Sequence, residues 1–154
     1  MIEKTIRLLS LEEKLKDVFK EKKNVLIFDK QGSVDTYFQY TGVVVDMFTI
    51  PLWKRLGADI DTIYEPIRKD VVNSMRFGQT CVLNYKDVDP DFLGNSVEGM
   101  IDPQWLFHPE LRAEKENHMS VIRLEETIDE TGVFSLNPNF NLVVMAKYVN
   151  EEKK

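Results

Sequence analysis

Four short apolar runs constrain this chain more than any other feature. They are Val25-Leu26-Ile27-Phe28, Val43-Val44-Val45, Thr80-Cys81-Val82-Leu83-Asn84-Tyr85 and Phe140-Asn141-Leu142-Val143-Val144-Met145-Ala146. Each is the length of a strand and reads as buried on both faces rather than alternating. Helical patterns lie between them. Ser33 to Tyr40 predicts a short helix with Val34, Tyr37 and Phe38 turned inward, ended by Gly42. Asp61 to Phe77 predicts a longer one, with Ile63, Ile67, Val71 and Met75 at a four-residue spacing. Buried strands separated by helices imply an α/β fold: a mainly parallel sheet with helices on both faces.

The remaining segments fill in around that sheet. Ser10-Leu11-Glu12-Glu13 has the form of a capping box, and Leu11, Leu15, Val18 and Phe19 mark the apolar face of the helix behind it. That helix is expected to end near Lys22-Lys23-Asn24. Pro66 inside the long helical pattern suggests that the true helix begins at Pro66, and Gly78 suits its C-terminal stop. From Lys86 to Asn117 regularity is lost among Pro90, Gly94, Gly99, Pro103 and Pro109. Such a stretch exceeds an ordinary connection and reads as an insertion, about 93–119. Ser120 to Leu124 and Thr131 to Leu136 predict a hairpin, and Asn137-Pro138-Asn139 turns the chain into its last strand. The expected organisation is an N-terminal helix at 1–23, an α/β domain at 24–150 and a charged tail at 151–154.

Composition removes several classes of function. The chain has 154 residues with 20 Lys and Arg against 26 Asp and Glu, a net charge of -6. Nucleic-acid binding, which wants a basic face, is disfavoured, whereas a protein partner is compatible. The one cysteine, Cys81, leaves no internal disulfide framework. The longest apolar run is Leu142 to Ala146, far below the ~20 residues of a membrane span. A soluble, cytoplasmic protein with no membrane partner is expected.

The order of these elements resembles the fifth AAA+ module of dynein heavy chains. Val25-Leu26-Ile27-Phe28-Asp29-Lys30-Gln31-Gly32 is similar to that module's strand and turn of pattern Ile-Asp-Pro-Gln-Gly. Phe77-Gly78 before Thr80-Cys81-Val82-Leu83 resembles its helix, Phe-Gly turn and next strand. Asp89-Pro90 lies where the family often has Asp-Pro. Asn137-Pro138-Asn139-Phe140-Asn141-Leu142 resembles its Asn-Pro-Asn-Phe-Arg-Leu, and Lys147 matches the Lys that ends that strand.

The resemblance implies a three-layer P-loop NTPase-like fold, the AAA+ large subdomain, without the helical lid since the chain stops just after the last strand. It requires Val25–Phe28, Thr80–Tyr85 and Leu142–Ala146 to be neighbours in a parallel sheet. Asp29, Lys30, Gln31, Gly32 and Ser33 would occupy the phosphate-loop position, Asn84 the Walker B position, and Met145-Ala146 the polar sensor. Those residues do not suit hydrolysis. A phosphate cradle needs several glycines, a Lys for the outer phosphates and a Ser or Thr for magnesium. None of the seven glycines here is followed by Lys. Asn84 cannot act as a water-activating base, and Met145 and Ala146 supply no sensor hydrogen bond. The expectation is a catalytically inactive structural or interaction module with no cofactor, held by protein partners in a ciliary (axonemal) or microtubule-associated assembly. The alternative is a nucleotide-binding ATPase or switch that takes ATP or ADP with Mg at an atypical phosphate loop.

Other constellations in the chain have plainer readings. Asp87, Asp89, Asp91 and Glu98 stand at positions 1, 3, 5 and 12 of a calcium loop, but the glycine needed at position 6 is Phe92. His108 and His118 lack zinc spacing. Cys81 in a buried strand reads as core rather than nucleophile. Trp105, Leu106 and Phe107, bounded by Pro103 and Pro109, suggest either a docking element or a plug folded back over the sheet. Trp53 is a second candidate contact.

Overall fold

The apolar runs do form one sheet. In a computed structural model, which describes residues 8–29, 32–90 and 94–147, four strands lie side by side and all run parallel. They are β1 (Val25–Phe28), β2 (Val43–Asp46), β3 (Thr80–Lys86) and β4 (Asn141–Ala146), in the spatial order β1-β4-β3-β2. The register sets Val25 beside Val143, Val143 beside Val82, and Val44 beside Val82. The last strand in sequence is therefore inserted between the first and the third.

Alternation along the central strands divides the core in two. Val82, Val143 and Met145 face α1 (Leu11–Lys20) and α2 (Ser33–Thr41), burying Leu11, Leu15 and Phe38. Cys81, Leu83, Leu142 and Val144 face the other way, against Ile63, Ile67, Val71 and Met75 of α4 (Ile60–Phe77). Both faces are covered, which is why β3 and β4 read as near-continuous apolar runs. A short α3 (Ile50–Arg55) joins β2 to α4. The N-terminal helix thus packs into the same core as the α/β domain.

Several local expectations are corrected. Ser10 stands in helical rather than extended backbone and its side chain makes no capping bond, so the capping box does not form. The long helix does not wait for Pro66. It begins at Ile60, because the Asp59 carboxylate caps it by accepting from Thr62 N at 2.7 Å. Pro66 lies inside the helix, on its exposed side. The C-terminal stop is as expected: Gly78 takes a left-handed φ of +69°, and a Cβ there would lie 2.5 Å from Asn137 Oδ1.

The hairpin at 120–136 is replaced by three 3-10 turns, Met119–Val121, Leu124–Glu126 and Ile128–Glu130. Side chains there capture the backbone groups a ladder would need. Glu126 Oε1 accepts from Arg123 N at 2.8 Å, Thr127 Oγ1 donates to Leu124 O at 2.5 Å, and Gly132 N donates to Thr127 Oγ1 at 3.0 Å.

The irregular insertion carries three short helices, α5 (Pro103–Leu106), α6 (Pro109–Ala113) and α7 (Lys115–His118). Trp105 is 7% exposed and Leu106 1%, both in the core cluster of the α4 face, and Phe107 packs partly buried beside them. The docking reading of Trp105, Leu106 and Phe107 is corrected here. The segment folds back as the plug, because its aromatic and aliphatic side chains complete a layer that α4 alone leaves open.

Candidate functional site

The C-terminal ends of parallel strands are the usual place for a ligand crevice in an open α/β sheet. Here that end holds a cleft of about 320 Å³. Its wall brings together Asp29 and Gly32 after β1, Asn84 and Lys86 at the end of β3, and Met145 and Ala146 at the end of β4. The sequence-predicted phosphate-loop, Walker B and sensor positions therefore meet in space. Lys30 and Gln31 lie outside the described residues.

The first helix after β1 would present its N-terminal amides to a phosphate in a nucleotide-binding protein. In this chain Asp29 takes them. Its carboxylate accepts from Gly32 N at 3.1 Å, from Val34 N at 3.0 Å and from Asp35 N at 3.2 Å. Gly32 reaches this arrangement with φ at +81°, a conformation an L side chain rarely adopts. Ser33 opens α2 and is exposed. A negative charge already sits on the helix N-terminus, so a phosphate brought there would meet repulsion and occupied donors.

Asn84 is 2% exposed and turned inward on its own strand, with Oδ1 accepting from Lys86 N at 3.2 Å. The ladder between β3 and β4 is irregular between Asn84 and Lys86, and Lys86 takes a left-handed φ of +48°. Both described lysines of the cleft are engaged. Lys86 Nζ lies 4.2 Å from the Phe48 ring centroid, and Lys147 Nζ lies 3.3 Å from Asp87 Oδ1. Met145 and Ala146 are buried. Among the described residues the cleft offers an anion neither an open amide nest nor a cation without a partner.

The other sequence candidates are placed as follows. Burial pushes the Cys81 thiol up to about 12, so it stays protonated and inert. His118 is buried, with Nδ1 2.9 Å from Arg112 O, and it packs against Phe134. His108 is exposed and precedes α6. Among the described residues no three His, Cys, Asp or Glu side chains come together for a metal ion. Asp91 and Phe92 of the calcium-loop pattern lie outside the described residues. Trp53 is 47% exposed on α3, with Leu52, Leu56 and Ile60 also exposed nearby in sequence.

Two buried arginines went unseen in the sequence reading. Arg68 lies wholly buried in α4 between Glu65 and Glu126. The signal was its place within the apolar stripe, one residue after Ile67 and three before Val71. Arg112 lies under the insertion, donating to Leu106 O at 2.8 Å and stacking 4.8 Å from the Phe140 ring centroid. Burial pulls its guanidinium down to about 10. Arg112 has no such signature, since α6 is too short to carry a period.

No helix of the described residues is long and apolar enough to cross a membrane. Comparison with known proteins returned no matching family model, curated protein or solved structure.

Proposed function

We propose that this chain is a catalytically inactive, P-loop-like α/β module of the dynein AAA+ type that serves as a structural or interaction part of a larger protein assembly. The observation that carries the reading is the Asp29 carboxylate on the amides of Gly32, Val34 and Asp35. It fills, from within the chain, the place where a phosphate would bind. The parallel arrangement of β1, β4 and β3 as neighbours supports the likeness to a P-loop fold. The inward amide of Asn84 and the apolar Met145 and Ala146 support loss of hydrolysis. An axonemal or microtubule-associated setting rests on the sequence resemblance alone. Isothermal titration of the purified chain with ATP and with ADP, each with magnesium, tests the inactive reading. No heat of binding is expected. Micromolar affinity would overturn it in favour of a nucleotide-binding switch.

A further inference from the structure

The insertion holds a second cavity, of about 310 Å³, walled by residues of α5, of α7 and of the segment before α5. The carboxylates of Glu98, Asp102 and Glu116 line it, and no Lys, Arg or His does. Glu98 and Glu116 are exposed and Asp102 is half-buried. Among the described residues none of the three has a cation partner. Arg123 stands next to the wall but is spent on it, donating to Gly99 O at 2.9 Å.

Trp105 gives the same cavity a donor. The residue is 7% exposed and lines the wall. Among the described residues its indole N–H has no acceptor, and no fully buried side-chain nitrogen or oxygen is left without a partner. Nε1 therefore reaches the solvent of the cavity rather than the core. A buried indole normally finds an acceptor. The polar side chains around it are turned elsewhere. Asn117 Nδ2 donates to Leu111 O at 2.8 Å, Ser120 Oγ donates to Asn117 O at 2.6 Å, and Asp102 Oδ1 accepts from Gln104 N at 2.9 Å.

We infer that this cavity binds a small organic cation, an alkylammonium that carries a neutral carbonyl oxygen beyond its aliphatic stem. The ammonium lies among the three carboxylates, and the carbonyl accepts from Trp105 Nε1. The same carboxylates turn an anion away. A bare metal ion does not suit the site, since among the described residues no three His, Cys, Asp or Glu side chains come together for one. The inference concerns the insertion and does not rest on the inactive reading of the cleft at the strand ends.

The test is titration of the full chain with Nα-acetyl-lysine methylamide, followed by proton–nitrogen NMR of the indole groups. The chain has two tryptophans, so Trp53, assigned by Trp53→Phe, is the internal control. The Trp105 indole resonance is expected to move and to saturate at roughly millimolar ligand, while that of Trp53 stays in place. The norleucine counterpart, which lacks the charge, should move neither. The double variant Glu98→Gln, Glu116→Gln should weaken binding of the lysine compound roughly fivefold. The same lysine within a longer peptide separates two sources of the cation: equal affinity assigns it to a polypeptide, and loss of binding assigns it to a free small molecule. A Trp105 resonance that stays in place with the lysine compound, or moves as far with norleucine, overturns the inference. So does a double variant whose affinity is unchanged.

Discussion

Arg68 Nη1 lies 2.6 Å from Glu126 Oε1, across fifty-eight residues of sequence, and Arg68 Nη2 lies 2.6 Å from Glu65 Oε1. Nη1 also donates to Val121 O at 2.8 Å. One fully buried guanidinium thus ties α4 to the segment between the insertion and β4. Its charge is satisfied by a carboxylate from each side, and both carboxylates hold its proton more firmly than in a free arginine. Arg68→Met keeps most of the volume but leaves Glu126 without its cation. Losing one member of a buried pair costs about 3–5 kcal/mol. Glu65→Gln, at the solvent side, should cost only about 0–1 kcal/mol. Urea denaturation of the two variants checks the contrast.

Acid and neutral pH should act on α4 in opposite senses at two carboxylates. The hydrogen bond from Arg68 holds Glu65 below its ordinary value. Its stabilisation is present above the unfolded-state value and is lost as pH falls through the lower, folded one. Asp70 behaves the other way: burial first, and then the charge of Asp46, raise it. Its ionised form therefore costs stability above the folded value, and the cost vanishes once pH falls below the unfolded one. Asp70→Asn should raise the melting temperature at neutral pH, with the gain shrinking through the carboxylate range. Thermal melts from neutral to acid pH decide it, and a gain that grows toward acid would refute the sign.

Asp29 is expected to matter for the fold through the three amides it holds at the start of α2. Asp29→Ala strips three amides at the start of α2 of their acceptor and should cost about 1–2 kcal/mol, as for a strong helix cap. Asp29→Asn keeps an acceptor oxygen and should cost less. Hydrogen exchange at Gly32, Val34 and Asp35 should quicken in the alanine variant while β4 amides stay protected.

The two tryptophans are expected to separate sharply. Trp105 lies in the core, and removing a buried aromatic costs about 3–5 kcal/mol. Trp53 stands half in solvent on α3, and an exposed substitution stays within about 0.5 kcal/mol. Chemical denaturation of Trp105→Ala and Trp53→Ala gives both values. Equal costs would mean that the insertion does not pack as a plug.

How far the sequence carried depended on whether a residue's partner was local. Thr80–Tyr85 and Leu142–Ala146 declared themselves because burial on both faces leaves a continuous apolar run, whereas Val25–Phe28 is just as apolar but buries only one face, with Leu26 and Phe28 exposed. Gly78 did so because a left-handed cap strongly favours glycine. The buried arginines were hidden because their partners lie far away in sequence. The false hairpin came from reading apolar residues around Asp129-Glu130-Thr131-Gly132 without the competing side-chain bonds of Thr127 and Glu126. The site was half legible. The residue types at Asp29, Gly32, Asn84, Met145 and Ala146 could be read off directly, but the capture of α2 by Asp29 needed the fold of the turn.

Pro66 shows where a strong local rule yielded to a stronger cap. Proline lacks the amide that would donate to Thr62 O and crowds the preceding turn, which argued for a helix starting at Pro66. The chain instead forms a full turn and a half before it, held by Asp59 on Thr62 N and by burial of Ile63 and Tyr64. Asp59, drawn down by its bond to Thr62, stays ionised through the neutral range. The proline is thus tolerated rather than used, and Pro66→Ala should restore the missing hydrogen bond. The helix-interior preference for Ala over Pro is about 3 kcal/mol, and the freer unfolded chain returns about 0.4–1 kcal/mol. A net gain of roughly 2 kcal/mol is expected, smaller if the helix bends at this point. A melting temperature that falls in Pro66→Ala would show that the proline sets the direction in which α4 crosses the sheet.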